Sequence, residues 1–173
     1  MNLVRELKRL IFLLFIAQLI QSCSLVSYEL KEELAPPEVR MAAFHYAKQY
    51  ESLGAEYLWG GQDPLPKTIQ VDCSGLVVRC YQYACADFGY ILPFSDMTAA
   101  GMEKYCDEVS PEQGDLIFMG ENSTISHVAL FDRFEGKNVY FIDSTDLTGK
   151  VSERSYPIES YKIIEYGRLL VYR

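Results

Sequence analysis

The sequence predicts an α+β fold, on two observations. Up to about residue 105 the apolar residues recur at helical spacing, whereas from Asp115 onward they gather into short β-like runs separated by turn residues. Helices first and strands later is the order of an α+β domain, with the helices packed on an antiparallel sheet. A chain of 173 residues at 49% hydrophobic suffices for one core, so a single folded domain is expected.

The N-terminal segment precedes that domain. Arg5, Lys8 and Arg9 lead into an uncharged apolar run from Leu10 to Ile20, far short of the ~20 residues that a membrane-spanning helix needs. Its length suits the core of a signal peptide. The run ends in LIQSC, which resembles the cleavage and lipidation signal of bacterial lipoproteins. On that resemblance residues 1–22 are removed and Cys23 becomes the lipidated N-terminus, anchoring the chain to a membrane. Gln21 stands where a small residue is usual, so plain secretion is the alternative. Ser24 rather than Asp after the cysteine favours the outer membrane, facing the periplasm, if the source is Gram-negative. Residues 23–35 are polar and read as a tether, and the folded domain is expected over residues 36–173.

Within the domain, Pro36 and Pro37 mark a helix start, and Val39, Ala43, Tyr46, Tyr50 and Leu53 share one face until Gly54 ends it. AEYLWGG follows, then a loop broken by Pro64 and Pro66. Leu76, Val77, Cys80, Tyr81, Ala84 and Phe88 mark a largely buried second helix from about Cys73 to Asp87, stopped by Gly89. A shorter helix is expected from about Asp96 to Tyr105. The β-like runs DLIFMG, HVALFDRF, NVYFIDS and YGRLLVYR are parted by QGD, ENST, EGKN and LTGK, a pattern that predicts an antiparallel meander.

Composition narrows the function. The full chain carries a formal charge of −8, and loss of residues 1–22 takes away three bases and one acid, leaving about −10. A phosphate backbone is repelled by such a chain. The sequence has no basic stripe, no zinc-type CxxC pair and no phosphate-cradling glycine loop. No nucleic-acid partner, metal or cofactor is therefore expected, and nothing signals oligomerisation, so a monomer is the expectation.

The chemistry concentrates in QVDCSGLVVRC, residues 70–80. A cysteine nucleophile needs a stabilised thiolate, an imidazole to hold and deliver the proton, and an acceptor that orients the ring. Cys73 is placed at a helix N-terminus, where unpaired N–H groups and the helix dipole favour negative charge, and its own N–H can face an oxyanion. Asp72 is a good N-cap, and Gly75 permits close approach of another segment or of substrate. Cys80 lies on the same face one repeat along and reads as a small buried hydrophobe. A disulfide of Cys80 or Cys85 with Cys106 is left open. Only two histidines exist. His45, between Phe44 and Tyr46 in mid-helix, reads as a packing or surface residue, whereas His127 opens an apolar strand.

The succession EYLWGG, DCSGLV, QGDLIFMG, SHVALF and VYFIDS resembles the NlpC family of bacterial cell-wall cysteine peptidases, across residues 54–145 and more weakly in the terminal GRLLVYR. The resemblance implies a compact papain-like fold in which Cys73 attacks an amide carbonyl and His127 is general base, then general acid. It puts Asp143 where the family usually has His, Asn or Gln; a carboxylate can accept the imidazole N–H in their place, and a buried or turn-capping Asp143 is the alternative. It further implies a cleft and oxyanion role for Tyr57, with Trp59 the better candidate for an aromatic core residue, and a grip by Asp72 and Ser74 on the free amine of a substrate. The substrate implied is a peptidoglycan stem peptide cut between D-glutamate and diaminopimelate or lysine. Amidases or acyltransferases of the same fold acting on other substrates, and a non-catalytic envelope binding protein, are the rival readings.

Overall fold

The computed structural model describes residues 30–173, and Lys31–Arg173 form one compact unit. The expected signal peptide, the expected lipidation site at Cys23 and most of the expected tether lie outside the described residues. The elements in chain order are β1 (Glu32–Leu34), α1 (Pro37–Ser52), β2 (Glu56–Tyr57), β3 (Gln70–Val71), α2 (Cys73–Phe88) and α3 (Ala99–Met102). A 3₁₀ turn (Glu103–Tyr105) then leads into β4 (Cys106–Glu108), β5 (Leu116–Glu121), β6 (Thr124–Glu135), β7 (Asn138–Thr145), β8 (Lys150–Pro157) and β9 (Ile163–Tyr172). The strands form one sheet in the order β1-β9-β5-β6-β7-β8-β2-β3, with β4 also on β9. It is antiparallel except for the short β2–β3 pair. The α+β expectation, with helices packed on an antiparallel meander, holds.

The helices form where caps and periodicity agree. Pro37 opens α1, and Val39, Ala43, Phe44, Ala47 and Tyr50 are buried along one stripe. Leu53, expected on that stripe, is exposed, because it is the C-cap and Gly54, at φ 70°, turns the chain away after it. In α2 the Asp72 carboxylate accepts the Gly75 N–H, and Gly89 ends the helix in the left-handed conformation. Leu76, Val77, Val78, Cys80, Tyr81 and Ala84 are wholly buried between α1 and the sheet. The third expected helix is shorter than its apolar pattern suggested: it begins after its Thr98 cap and tightens into the 3₁₀ turn.

The sheet has a core on each face. Leu116, Phe118, Val128, Leu130 and Ile142 point to the helices, while Ile117, Met119, Ala129, Phe131, Val139 and Phe141 form a second cluster closed by Tyr156, Ile163 and Tyr166. β5 is therefore buried on both sides, which explains its continuous apolar run. The β5–β6 hairpin turns through Asn122 and Ser123, both at positive φ, the conformation that a tight two-residue hairpin requires.

The structure corrects the tether. Glu32–Leu34 pair with Tyr172, Val171 and Leu170 of β9, and Ala35 is buried with its N–H donated to Leu169 O at 2.7 Å. The short acidic segment has no strand pattern of its own; the edge of β9 dictates its pairing. A second difference is β8, whose polar SERSYP carries no apolar run between LTGK and the last strand. It pairs with β7 along its whole length, Asn138↔Pro157 through Thr145↔Lys150.

The QGD segment locks the helices to the sheet. Asp115 is fully buried and takes two hydrogen bonds from the Arg168 guanidinium at 2.8 Å, while Glu112 takes a third at 2.9 Å and one from buried Arg40 at 2.6 Å. Arg168, in the terminal GRLLVYR, thus balances a buried acid, and neither residue lines the cleft described below. Tyr81 donates to Gly114 O at 2.7 Å, tying α2 to the same corner.

Candidate active site

The start of α2 is fixed against the sheet by three contacts that the local sequence specifies. Asp72 accepts from Gly75 N (2.6 Å) and Ser74 Oγ (2.9 Å) with one carboxylate oxygen and from Gly60 N (2.9 Å) with the other. Gly75 lies against the backbone of Gly61, where an added Cβ would come within 2.0 Å of the Gly61 carbonyl oxygen. Here glycine is required by another chain segment. Buried Ser144 on β7 donates to Val71 O at 2.6 Å, two residues before Cys73. The helix end that carries Cys73 is thereby joined to the strand that carries Asp143.

His127 is delivered by β6. Met119 pairs with His127 but Gly120 pairs with Ile125, so Ser126 is an extra residue and β6 bulges just before the histidine. Bulges of this kind re-aim the neighbouring side chains. The His127 Nε2–H donates to Asp143 Oδ2 at 2.7 Å. That leaves Nδ1 as the ring nitrogen that can face Cys73, which lines the same cleft. Burial opposes a charge on His127, but the hydrogen bond to Asp143 and the nearby Cys73 outweigh it and push the imidazole up to about 9.

Asp143 is fully buried and its Oδ2 has a second partner, Arg154 Nη1 at 3.0 Å. Arg154 stands on β8 diagonally across from Asp143, since Asp143 pairs with Ser152 and Phe141 with Arg154. Asp143 Oδ1 has no hydrogen-bond partner among the described residues. The expected thiol, imidazole and carboxylate are thus brought together, and a guanidinium that sequence reasoning missed supports the carboxylate. The missed signal is a lone arginine in a polar segment, which becomes meaningful only once β8 is seen beside β7.

These groups open into a cleft of about 490 Å³, lined among others by Tyr57, Trp59, Cys73, His127, Arg154 and Lys162. Burial raises the Tyr57 phenol, with further push from Cys73, Asp146 and Asp72, so it stays a hydrogen-bond donor beside the thiol. Trp59 is corrected from core to cleft: it is 85% exposed. Its segment is held by backbone bonds, Leu58 N–H to Val71 O and Gly61 N–H to Leu58 O, which leave the indole at the mouth of the cleft. Asp72 and Ser74 are engaged in the helix cap and with each other rather than lining the cleft. His45 is exposed on α1, away from all of this.

The other cysteines differ in kind. Cys73, Cys80, Cys85 and Cys106 are all free thiols. Burial pushes the Cys80 and Cys106 thiols well up, and Cys85 up to about 12, so they stay protonated and inert. Among the described residues, no group of three or more His, Cys, Asp or Glu is placed to hold a metal ion.

A thiol on a capped helix end, an imidazole and a buried carboxylate are the groups that cysteine-based acyl chemistry uses. Comparison with known proteins gives the family. The model of the NlpC/P60 family matches residues 54–165, and the chain belongs to that family, whose members are typically cell-wall peptidases. Among solved structures, NlpC1 from Trichomonas vaginalis is similar at 20% identity and a TM-score of 0.58, over 80% of this chain and 47% of that one. The structure of Ly7917 with the hydrolyzing product of MDP is similar at 13% identity and a TM-score of 0.50, over 75% of this chain and 62% of that one. These likenesses show the shared fold, and this chain spans about half the length of NlpC1. Among curated proteins, none matches the chain.

Proposed function

We propose that the protein is a cysteine endopeptidase of peptidoglycan that hydrolyses the amide between D-glutamate and diaminopimelate or lysine in stem peptides. The observation that carries it is the 2.7 Å contact of His127 Nε2 with Asp143, in the cleft that Cys73 also lines. The family and the peptidoglycan-derived product bound to Ly7917 support the substrate class.

The Cys73 thiolate attacks the γ-carbonyl carbon of D-glutamate, and the carbonyl oxygen becomes an oxyanion facing the Cys73 N–H and the Tyr57 hydroxyl. As the C–N bond breaks, His127 donates its Nδ1 proton to the leaving amine, giving a thioester at Cys73. His127 then takes a proton from water, the hydroxide attacks the thioester, and Cys73 leaves as thiolate. Asp143 holds the ring throughout through Nε2–H, and Asp72 keeps the helix end in place while its charge lies close to Tyr57, where a substrate amine is favoured.

The pH profile tests this reading. With the imidazole raised to about 9, the imidazolium persists through neutral pH, and kcat/KM on a defined muropeptide is expected to fall only above about pH 9. Asp143→Asn removes the charge that favours the imidazolium and moves the alkaline limb to lower pH. An alkaline limb already at the ordinary imidazole value of 6.5 in the parent contradicts the ion-pair account.

A further inference from the structure

The cleft is electrically two-sided. Tyr57, Thr145 and Asp146 line it near the cysteine end of the sheet, with Asp72 behind. The wall formed by β8 and the turn just before β9 is cationic: Arg154 lies 5.3 Å and the Lys162 ammonium 5.6 Å from the centroid of the Tyr156 ring. Their roles differ. The charge of Arg154 is set against buried Asp143 at 3.0 Å. Lys162 has no acidic partner within salt-bridge distance among the described residues, and the other cleft acid, Glu121, makes no ion pair with it. Lys162 is nevertheless well placed, because its carbonyl accepts the Gly120 N–H at 2.9 Å and its N–H faces Ser160 Oγ at 3.4 Å. An anchored, uncompensated ammonium in the catalytic cleft, lying over an aromatic ring and beside a second cation, is a receptor for a carboxylate.

We infer that Lys162, on the wall shared with Arg154 and Tyr156, binds a free carboxylate of the residue that donates the acyl group. The inference rests on the function proposed above. In the proposed substrate that carboxylate is the α-carboxylate of D-glutamate, left free by the γ-linkage. It stands three carbons from the scissile carbonyl whether diaminopimelate or lysine follows. Amidation to D-isoglutamine replaces the charge with a neutral group that offers the ammonium only a carbonyl oxygen and no ion pair. The enzyme therefore discriminates between unmodified and amidated stem peptides at this position.

The test uses two tetrapeptides identical but for D-glutamate or D-isoglutamine at the second position, with steady-state kinetics on the full chain, Lys162→Met and Lys162→Arg. The parent is expected to favour the D-glutamate peptide by about tenfold or more in kcat/KM, mostly through KM. Lys162→Met brings the ratio to within about twofold, and Lys162→Arg keeps most of it. Equal rates for the parent on both peptides, or an undiminished preference in Lys162→Met, overturns the carboxylate assignment alone. Failure of the parent to cleave either peptide overturns the proposed function and this assignment with it.

Discussion

Cys73→Ala is expected to lower kcat/KM on a muropeptide by about 10⁴-fold or more while leaving the protein folded. The helix cap comes from the Asp72 carboxylate and the close approach from Gly75, so neither depends on the thiol. The remaining cysteines cannot take over, since Cys80 and Cys85 are buried and the Cys106 thiol is pushed well up by burial. The same contrast predicts a labelling result: under native conditions iodoacetamide modifies the parent at Cys73 well before the other three, and peptide mass mapping reads the site directly. Hydrolysis that survives in the alanine variant, with an unchanged circular dichroism spectrum, sinks the nucleophile assignment.

Asp143→Ala is expected to cost about 10³-fold in kcat/KM, whereas Asp143→Asn at neutral pH keeps most of the activity. The geometry makes the two replacements unlike. The bonds from His127 and Arg154 both go to Oδ2, and Oδ1 has no partner among the described residues, so the amide nitrogen of asparagine can take the Oδ1 position without breaking either bond. Alanine removes both bonds, frees the imidazole to rotate and leaves the Arg154 guanidinium, only 15% exposed, beside an empty acceptor position. The alanine variant is therefore also less stable, and adding Arg154→Met recovers part of its melting temperature but none of its activity. Full activity in both single variants places Asp143 outside the site.

Much of the site was legible in the sequence because its parts sit at element boundaries that sequence marks clearly. Asp72 is a strong cap, Gly75 and Gly89 bracket α2 with distinct backbone demands, and only two histidines compete for the partner role, one of them in a helix without other chemistry. Asp143 was legible only through the resemblance, which puts it on the strand after the histidine strand, and the structure places it buried on β7. The missed parts share a physical cause, which is that they exist through pairing and not through pattern. β1 and β8 are polar segments that become strands because β9 and β7 offer them hydrogen bonds, so Arg154 could not be tied to Asp143 in advance. Trp59 failed in the opposite way: an aromatic residue suggested the core, but backbone bonds anchor its loop and leave the ring in the cleft mouth.

The most direct test of the account is the identity of the bond that is broken. The purified protein is incubated at neutral pH with a defined disaccharide tetrapeptide, and the products are identified by mass spectrometry. One cut is expected, releasing a fragment that ends in D-glutamate and a dipeptide that begins with diaminopimelate or lysine, with no release by Cys73→Ala. An intact muropeptide, or a cut at any other amide, contradicts it.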